Sequence, residues 1–463
     1  MRDNMNVLLV RAKPHKNTIN LQSFMICEPL ELEYVSSYLE SFGHSVEIID
    51  MILEKKNFGA FLVNKSIDVV GFTSYLPHVN IIKEYARTVK DYDQNIKTVV
   101  GGIQAEVIPQ DFIDENIDFI IKVNGLKTSK EILANLEKDQ EKEIIKNKIA
   151  GVYTPEKKEY LIDTHFNYPF PDRTKTRKYR DRYNYIYHEK CATLKTSFGC
   201  PYQCEFCFCT EITGHQYFAR DIENVIEEIK TIEEENIFIV DDNFLVDIGR
   251  IKKFCELMKQ SNLHKNFILF GRADFIAENE EIIKMLKDCG LQAVFIGIES
   301  FKEKELENFN KKITVEMNIR AVQVLENMGL DCYSGIIVGM DWEKKDFDHL
   351  INFLNGFKHP MINVQPITPI PGTPIYEKLK EQIIIPRERY ELWDMAHLLL
   401  QPTRMSKSRF YYHILRTYYQ TSVSLRAHRY ILKKYGLKVY LRTLKGALHI
   451  TLQYLKLILA GEE

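Results

Sequence analysis

The sequence predicts an α/β protein: an N-terminal parallel-sheet domain, a central partial parallel barrel and a helical C-terminal region. Three observations carry this. Short apolar β-rich runs alternate with amphipathic stretches over the first 140 residues. The same alternation restarts at residue 191 and recurs through six strand–helix units to residue 375. Beyond that the β-rich runs stop, and leucines recur at spacings of three and four. The boundaries read as 1–140, a connector 141–190, 191–375 and 376–463.

A chain of 463 residues suits two or three domains. Sixty-two Lys and Arg against 64 Asp and Glu leave a formal net charge of -2. Nine scattered cysteines do not form a disulfide framework and suit a reducing, cytoplasmic setting. Met1 to Asn6 is polar and Val7–Val10 is too short for a signal peptide. No run of about 20 apolar residues spans a membrane.

In the first domain, strands are expected at Val7–Val10, Val46–Ile49, Asp68–Phe72, Lys97–Val100 and Phe119–Lys122. Helices are expected at Pro29–Phe42, with Leu30, Val35, Leu39 and Phe42 near one face, at Asn80–Lys90 and at Ser129–Leu136. This is a Rossmann-like pattern, in which ligands sit at the carboxyl ends of the strands. Thr73, Ser74, Gly101 and Gly102 fall there, small residues that admit a large ligand; Gly101-Gly102 taken alone also reads as a simple turn. His78, after Pro77, reads as a surface residue near that rim. In the connector, Gly151–Thr154 and Glu159–Ile162 read as a small hairpin, and Arg173–Arg182 as an extended crossing segment.

The central strands are expected at Ala192–Thr196, Asn236–Val240, Phe267–Phe270, Gln292–Ile298, Cys332–Val338 and Ile362–Ile367. Helices fall at Arg220–Glu235, which reads as a solvated outer face, and at Arg250–Met258, Glu280–Lys287, Thr314–Asn327 and Lys345–Phe357. The order suits a partial TIM-type (β/α)6 barrel, whose chemistry gathers at the carboxyl ends of the strands. Asp241, Arg272, Glu299 and Gly339 all fall at such ends.

So does the loop Ser197-Phe198-Gly199-Cys200-Pro201-Tyr202-Gln203-Cys204-Glu205-Phe206-Cys207, with cysteines spaced C-x3-C-x2-C. Three thiolates on one short loop suit three corners of an iron–sulfur cube, leaving the fourth iron open. A structural zinc site is the alternative, but it wants four ligands and no second C-x2-C knuckle follows. Cys209 as a fourth ligand would cramp the tetrahedron; it reads as a small apolar residue.

This motif resembles the radical S-adenosylmethionine (SAM) superfamily. The resemblance implies a [4Fe–4S] cluster on Cys200, Cys204 and Cys207, SAM on the open iron, and Phe206 near the adenine. Tyr217–Val225, Asp241-Asp242-Asn243-Phe244, Gly297-Ile298-Glu299-Ser300 and Pro369–Pro374 are similar to its cobalamin-dependent class. By that likeness Arg272 and Glu299 contact the amino-acid end or ribose of SAM, with Asp241 and Gly339 on the same rim; a barrel-rim salt bridge is the bland reading of either charged residue. Glu28–Tyr34, Glu40–Val46 and Val100-Gly101-Gly102 resemble the cobalamin-binding domain that precedes it, implying cobalamin at Thr73, Ser74, Gly101 and Gly102. The chain departs from related domains in lacking D-x-H-x2-G, which implies cobalamin held without a protein imidazole. It also has Val123-Asn124-Gly125 where Gly-Glu-Gly is frequent.

The function implied is C-methylation of an unactivated carbon, with an external electron donor of the flavodoxin or ferredoxin type. Alternatives are an oxidative or ring-forming enzyme with the same cofactors, and a non-catalytic sensor. Between Gln401 and Gly461 there is no Asp or Glu, while Lys and Arg recur among tyrosines and the leucines Leu441, Leu444, Leu448, Leu452, Leu455 and Leu459. Such a basic amphipathic helix predicts peripheral membrane contact or a lipid-like substrate, against the alternative of packing on the protein's own acidic surface. Tyr390–Met405 also resembles the tail of family members acting on hopanoids and other large hydrophobic molecules. No base-reading module accompanies the charge, so no nucleic-acid partner is expected.

Overall fold

A computed structural model describes residues 4–163, 168–214, 216–358 and 361–461; part of the 141–190 connector and the first three residues lie outside these. The chain forms two compact units. The first comprises Met1–Thr18, Glu28–Asp181 and Arg387–Asp394; the second comprises Ile19–Cys27, Arg182–Pro386 and Met395–Glu463.

The first unit is a five-stranded parallel sheet of β1 (Asn6–Arg11), β2 (Ser45–Asp50), β3 (Val69–Thr73), β4 (Lys97–Gly101) and β5 (Phe119–Ile120), in the order 2-1-3-4-5. The strands carry apolar side chains on both faces because both are covered, which is what a parallel sheet requires. Helix α1 (Leu30–Glu40) buries Leu32 and Leu39 but leaves Phe42 exposed beyond its end, against the expected face. Helices α2 (Val79–Tyr92) and α3 (Gly125–Leu136) complete the layers.

Two connector expectations are corrected. Gly151–Thr154 does not pair with Glu159–Ile162: Val152 bridges Ile121 antiparallel and the Tyr153 N–H donates to the Ile120 carbonyl at 2.8 Å, extending the sheet edge. Arg173–Arg182 is a 3₁₀ helix rather than an extended segment. Acidic residues of the first unit gather its cations: Glu28 takes Arg180 and Arg173, Lys178 reaches Glu54 at 3.1 Å, and Thr176 donates to buried Glu33. The segment 387–394 returns to this unit through Asp111, which accepts from Arg387 at 2.6 Å and from the Tyr390 hydroxyl at 3.0 Å.

The second unit is built on six parallel strands in sequential order: β6 (Cys191–Leu194), β7 (Asn236–Ile239), β8 (Asn266–Gly271), β9 (Leu291–Glu299), β10 (Asp331–Val338) and β11 (Met361–Pro366). Its outer face packs on α4 (Ile222–Thr231), α5 (Ile248–Gln260), α6 (Glu280–Asp288), α7 (Val315–Asn327) and α8 (Lys344–Asn355). Helix α4 is shorter than the charged run predicted and half buried, with Val225, Ile226 and Ile229 in the core. The inner face carries Phe238, Ile268, Ala293 and Tyr333, closed at the amino-terminal end by Tyr185 and Tyr187.

Two helices follow, α9 (Lys407–Gln420) and α10 (Leu425–Ala460), the latter broken at Gly436, where φ is 78°. Past the break Thr443, Gly446 and Tyr454 are buried. The leucine stripe is not: Leu441, Leu444, Leu448, Leu452, Leu455 and Leu459 are all exposed, from 39% to 84%. The stripe therefore faces outward, while the opposite side of the helix packs on the second unit and meets its acidic residues, Lys434 pairing with Asp331 at 2.7 Å and Lys438 with Glu189 at 3.0 Å, as the alternative reading expects.

Candidate cluster and cofactor sites

The cysteine loop leaves β6 and is bracketed by a short antiparallel ladder, Ser197–Phe198 against Phe218–Ala219. Gly199 turns the chain at φ 78°, and a Cβ there would lie 2.0 Å from the Gln216 carbonyl oxygen. Only glycine fits such a position. Asp241, just past β7 and buried, ties down the base of the loop. Its carboxylate accepts from the Thr196 N–H at 2.6 Å, the Ser197 hydroxyl at 2.7 Å and the Thr196 hydroxyl. Asp242 accepts from the Gly199 N–H at 2.8 Å. The far side is pinned by the Glu205 N–H to the Phe309 carbonyl at 3.0 Å and by the Asn310 amide to the Gln203 carbonyl at 2.7 Å.

Arg272 follows β8. Its guanidinium forks onto Asp274 at 2.9 and 3.1 Å, donates to the Lys311 carbonyl at 2.7 Å, stacks 3.6 Å from the Tyr202 ring centre and points toward Cys204 Sγ at 3.8 Å. Glu299 ends β9 with φ 61°, a strained conformation for a non-glycine residue. Its Oε1 accepts from Lys311 Nζ at 2.8 Å, and that ammonium also lies 5.7 Å from the Phe206 ring centre. Phe206 meets Phe309 edge-on at 5.6 Å. Burial disfavours the Lys311 charge, but Glu299 and Cys204 outweigh it and hold the pKa above the ordinary lysine value. Sequence reasoning missed Lys311, which sits in a polar turn beside Lys312 without a motif.

The structure thus joins Cys204, Phe206, Arg272 and Glu299 through Lys311. Asp241 spends its oxygens on the loop, and Gly339 lies against Asp341 and Trp342. Cys200, Cys204 and Cys207 are free thiols, half-buried. Burial pushes Cys200 up to about 11 and raises Cys204, whereas a hydrogen bond from Cys209 lowers Cys207. Among the described residues no three His, Cys, Asp or Glu side chains converge on one metal ion. A cube takes each thiolate on a separate iron. Three free thiols on one pinned loop, with Arg272 and Lys311 to balance added negative charge, fit that donor set.

In the first unit the expected residues also come together. The 2-1-3-4-5 order reverses direction between β1 and β3, which is where such sheets take ligands. The Ser74 hydroxyl donates to the Gly101 carbonyl at 2.7 Å and accepts from the Ala105 N–H at 3.1 Å. The Thr73 hydroxyl donates to Glu31 at 3.0 Å. Gly102 has φ 92°, and a Cβ there would lie 2.7 Å from the Ser74 nitrogen. His78 is half-buried rather than the free surface residue expected. Its Nδ1 is buried without a hydrogen-bond partner, and burial with Arg11 nearby lowers its pKa to about 4. A neutral imidazole with an unbonded nitrogen, in the short 3₁₀ turn Leu76–His78 that follows Thr73 and Ser74, fits a large amide-bearing ligand. Asn124, at φ 55°, donates to the Leu161 carbonyl at 2.9 Å and accepts from the Asp163 N–H at 2.7 Å, so its side chain holds a loop.

Residues 194–354 match the model of the Radical SAM superfamily, and residues 17–133 that of the B12 binding domain. The chain is 27% identical over 422 residues to the hopanoid C-3 methylase of Methylococcus capsulatus, covering 89% of this chain and 79% of that protein. It is 21% identical over 434 residues to the anaerobic magnesium-protoporphyrin IX monomethyl ester cyclase of Rubrivivax gelatinosus, covering 89% and 77%. Its fold resembles that of the cobalamin-dependent SAM radical enzyme OxsB, solved with aqua-cobalamin and SAM bound, at a TM-score of 0.71 and 17% identity over 98% of this chain and 72% of that one.

Proposed function

We infer that this chain, which belongs to the cobalamin-dependent radical SAM family, is a C-methyltransferase that uses a [4Fe–4S] cluster, SAM and cobalamin to methylate an unactivated carbon. The pairing in one chain of the Cys200–Cys207 loop on a six-stranded parallel sheet with a 2-1-3-4-5 sheet that matches a B12 binding domain carries this reading. When bound, these cofactors supply the radical chemistry and the methyl group that no side chain can.

The chain's own residues supply position and charge. Cys200, Cys204 and Cys207 would hold three irons of the cluster, on a loop fixed by Asp241 and Gly199. Arg272 and Lys311 offset the negative charge that the thiolates bring. Glu299 keeps Oε2 free of the Lys311 contact for an ammonium or ribose hydroxyl of SAM, and Phe206 and Gly339 flank the same rim. Thr73, Ser74, Gly101 and Gly102 shape the cobalamin edge. The likeness to the cyclase supports a second reading, oxidative ring closure with the same cofactors.

The enzyme needs a reductant, which we assign to the flavodoxin or ferredoxin type, and an organic substrate. The hopanoid methylase likeness supports a lipid-like one. No described helix is long and apolar enough to cross a membrane. The exposed leucine stripe, with exposed Arg426, Arg429, Lys433, Lys438, Lys445 and Lys456 on the same helix, supports a cytoplasmic protein that docks on an anionic lipid surface. The test is anaerobic reconstitution followed by reduction with SAM present. Formation of 5′-deoxyadenosine, lost in Cys204→Ala, is expected; wild-type-level formation in that variant would sink the assignment.

A further inference from the structure

We propose that the second unit seats the body of a neutral isoprenoid or fused-ring lipid in an apolar chamber between the barrel's inner face and helices α9 and α10. This rests on the methyltransferase reading and names the substrate class for it. The cavity itself is about 120 Å³ and widens into an open apolar mouth. The leading part of an occupant enters the cavity and the rest lies along that mouth.

The lining chemistry selects the occupant. Phe295 on β9 and Tyr333 on β10 form the floor, and Leu444 and Ala447 of α10 form one wall. Among the described residues, no Asp, Glu, Lys or Arg lines the chamber. A fatty-acid carboxylate or a phosphate would enter without a counter-charge, which disfavours it. The hydroxyls and ring nitrogens of the wall are already engaged. Tyr418 bonds the Val364 backbone at 2.9 and 3.1 Å, and His428 bonds Tyr440 and the Val423 carbonyl, both at 3.1 Å. Among the described lining residues, Asn363 is the one polar side chain with no hydrogen bond. A hydrocarbon with one hydroxyl-like group matches that inventory.

Two further features place this chamber on a route. Leu444 both lines it and belongs to the exposed leucine stripe, so a lipid can pass from a membrane into the chamber along apolar surface. From the floor, Phe295, Gly297 and Glu299 share one face of β9, and four residues of strand span about 13 Å. Gly297 pairs with Gly335 on β10, and a Cβ at Gly335 would lie 3.3 Å from the Phe295 ring and 3.9 Å from Glu299. The space over both glycines is taken: a Cβ at Gly297 would lie 2.1 Å from Glu299 Oε1 and 2.7 Å from Lys311 Nζ, and the Phe295 ring covers Gly335. The chamber floor and the rim pair therefore adjoin directly across the two glycines, which places a lipid seated on Phe295 beside the rim.

The experiment titrates the fluorescent sterol dehydroergosterol, with oleate in parallel, into the full-length reconstituted protein and follows energy transfer from aromatic side chains. Saturable sterol binding is expected. Ala447→Trp, which fills the chamber, should weaken it at least tenfold, and Asn363→Leu should remove the preference for the sterol over its deoxygenated parent. Leu459→Lys, on the stripe beyond the chamber, should leave sterol affinity unchanged. No saturable binding by the wild type, wild-type binding by both chamber variants, or oleate bound as tightly as the sterol would overturn the proposal. Formation of 5′-deoxyadenosine without added lipid, read on the same samples, should persist in Ala447→Trp; its absence from the wild type counts against the methyltransferase reading, whatever the sterol does.

Discussion

Lys311 and Glu299 form a 2.8 Å ion pair at the carboxyl end of the barrel, and both side chains are at most a tenth exposed. Each charge depends on the other, because breaking a buried pair strands a charge at a cost of about 3–5 kcal/mol. Lys311→Met should lower the second unit's stability by that order in urea titration. The double variant with Glu299→Gln should recover at least half of the loss. Equal destabilisation in the single and double variants would show that the pair is not coupled.

Asp241 decides whether the cysteine loop keeps its shape. Asp241→Asn loses a charge-assisted acceptor for the Thr196 N–H and two hydroxyls. Gly199→Ala drives a Cβ into the Gln216 carbonyl. Both should reduce iron incorporated on reconstitution several-fold, while far-ultraviolet circular dichroism remains that of a folded α/β protein. Full iron content in Gly199→Ala would contradict the loop's role.

His188 sets an acid limit. It is buried against the Tyr333 hydroxyl at 3.2 Å, and burial, with Lys434 and Arg442 adding to it and Asp331 opposing, lowers its pKa to about 4. The unfolded chain takes up that proton near pH 6.5, before the folded state does. Stability is therefore complete above about 6.5 and falls as pH drops toward 4, by up to about 3 kcal/mol. His188→Gln should flatten the thermal midpoint over this window. An unchanged slope would place the acid sensitivity elsewhere.

The leucine stripe gives a salt-dependent prediction. Leu448→Glu with Leu452→Glu should abolish co-sedimentation with anionic vesicles, and salt should weaken wild-type binding by screening Arg426, Arg429 and their neighbours. Equal recovery in the supernatant for neutral and anionic vesicles at low salt would defeat the membrane reading.

Periodicity made the two parallel sheets legible, because a strand buried on both faces writes its environment into consecutive residues. The barrel-rim position of Asp241, Arg272, Glu299 and the cysteine loop followed from the same alternation. What periodicity cannot write is partnership. The 3₁₀ helix at Arg173–Arg182 exists because Glu28, Glu33 and Glu54, more than a hundred residues earlier, collect its cations and its hydroxyl. Gly151–Thr154 looks like half of a hairpin, yet Ile121 offered a free sheet edge. Asp241 reads as a ligand until its three loop contacts are seen, and Lys311 reads as a solvated turn residue until Glu299 is found beside it. His78 carried no local sign of burial.

The central claim is that one chain cleaves SAM at its cluster and places a methyl group on carbon. The direct measurement is incubation of the reconstituted, reduced holoenzyme with SAM carrying a trideuterated methyl group and a neutral lipid extract, followed by mass spectrometry of both products. The account predicts 5′-deoxyadenosine together with a lipid bearing an intact trideuteromethyl group on carbon, both absent from the variant in which Cys200, Cys204 and Cys207 are all alanine. Labelled lipid formed equally by that variant, or 5′-deoxyadenosine accompanied by a desaturated or cyclised product without label, would contradict it.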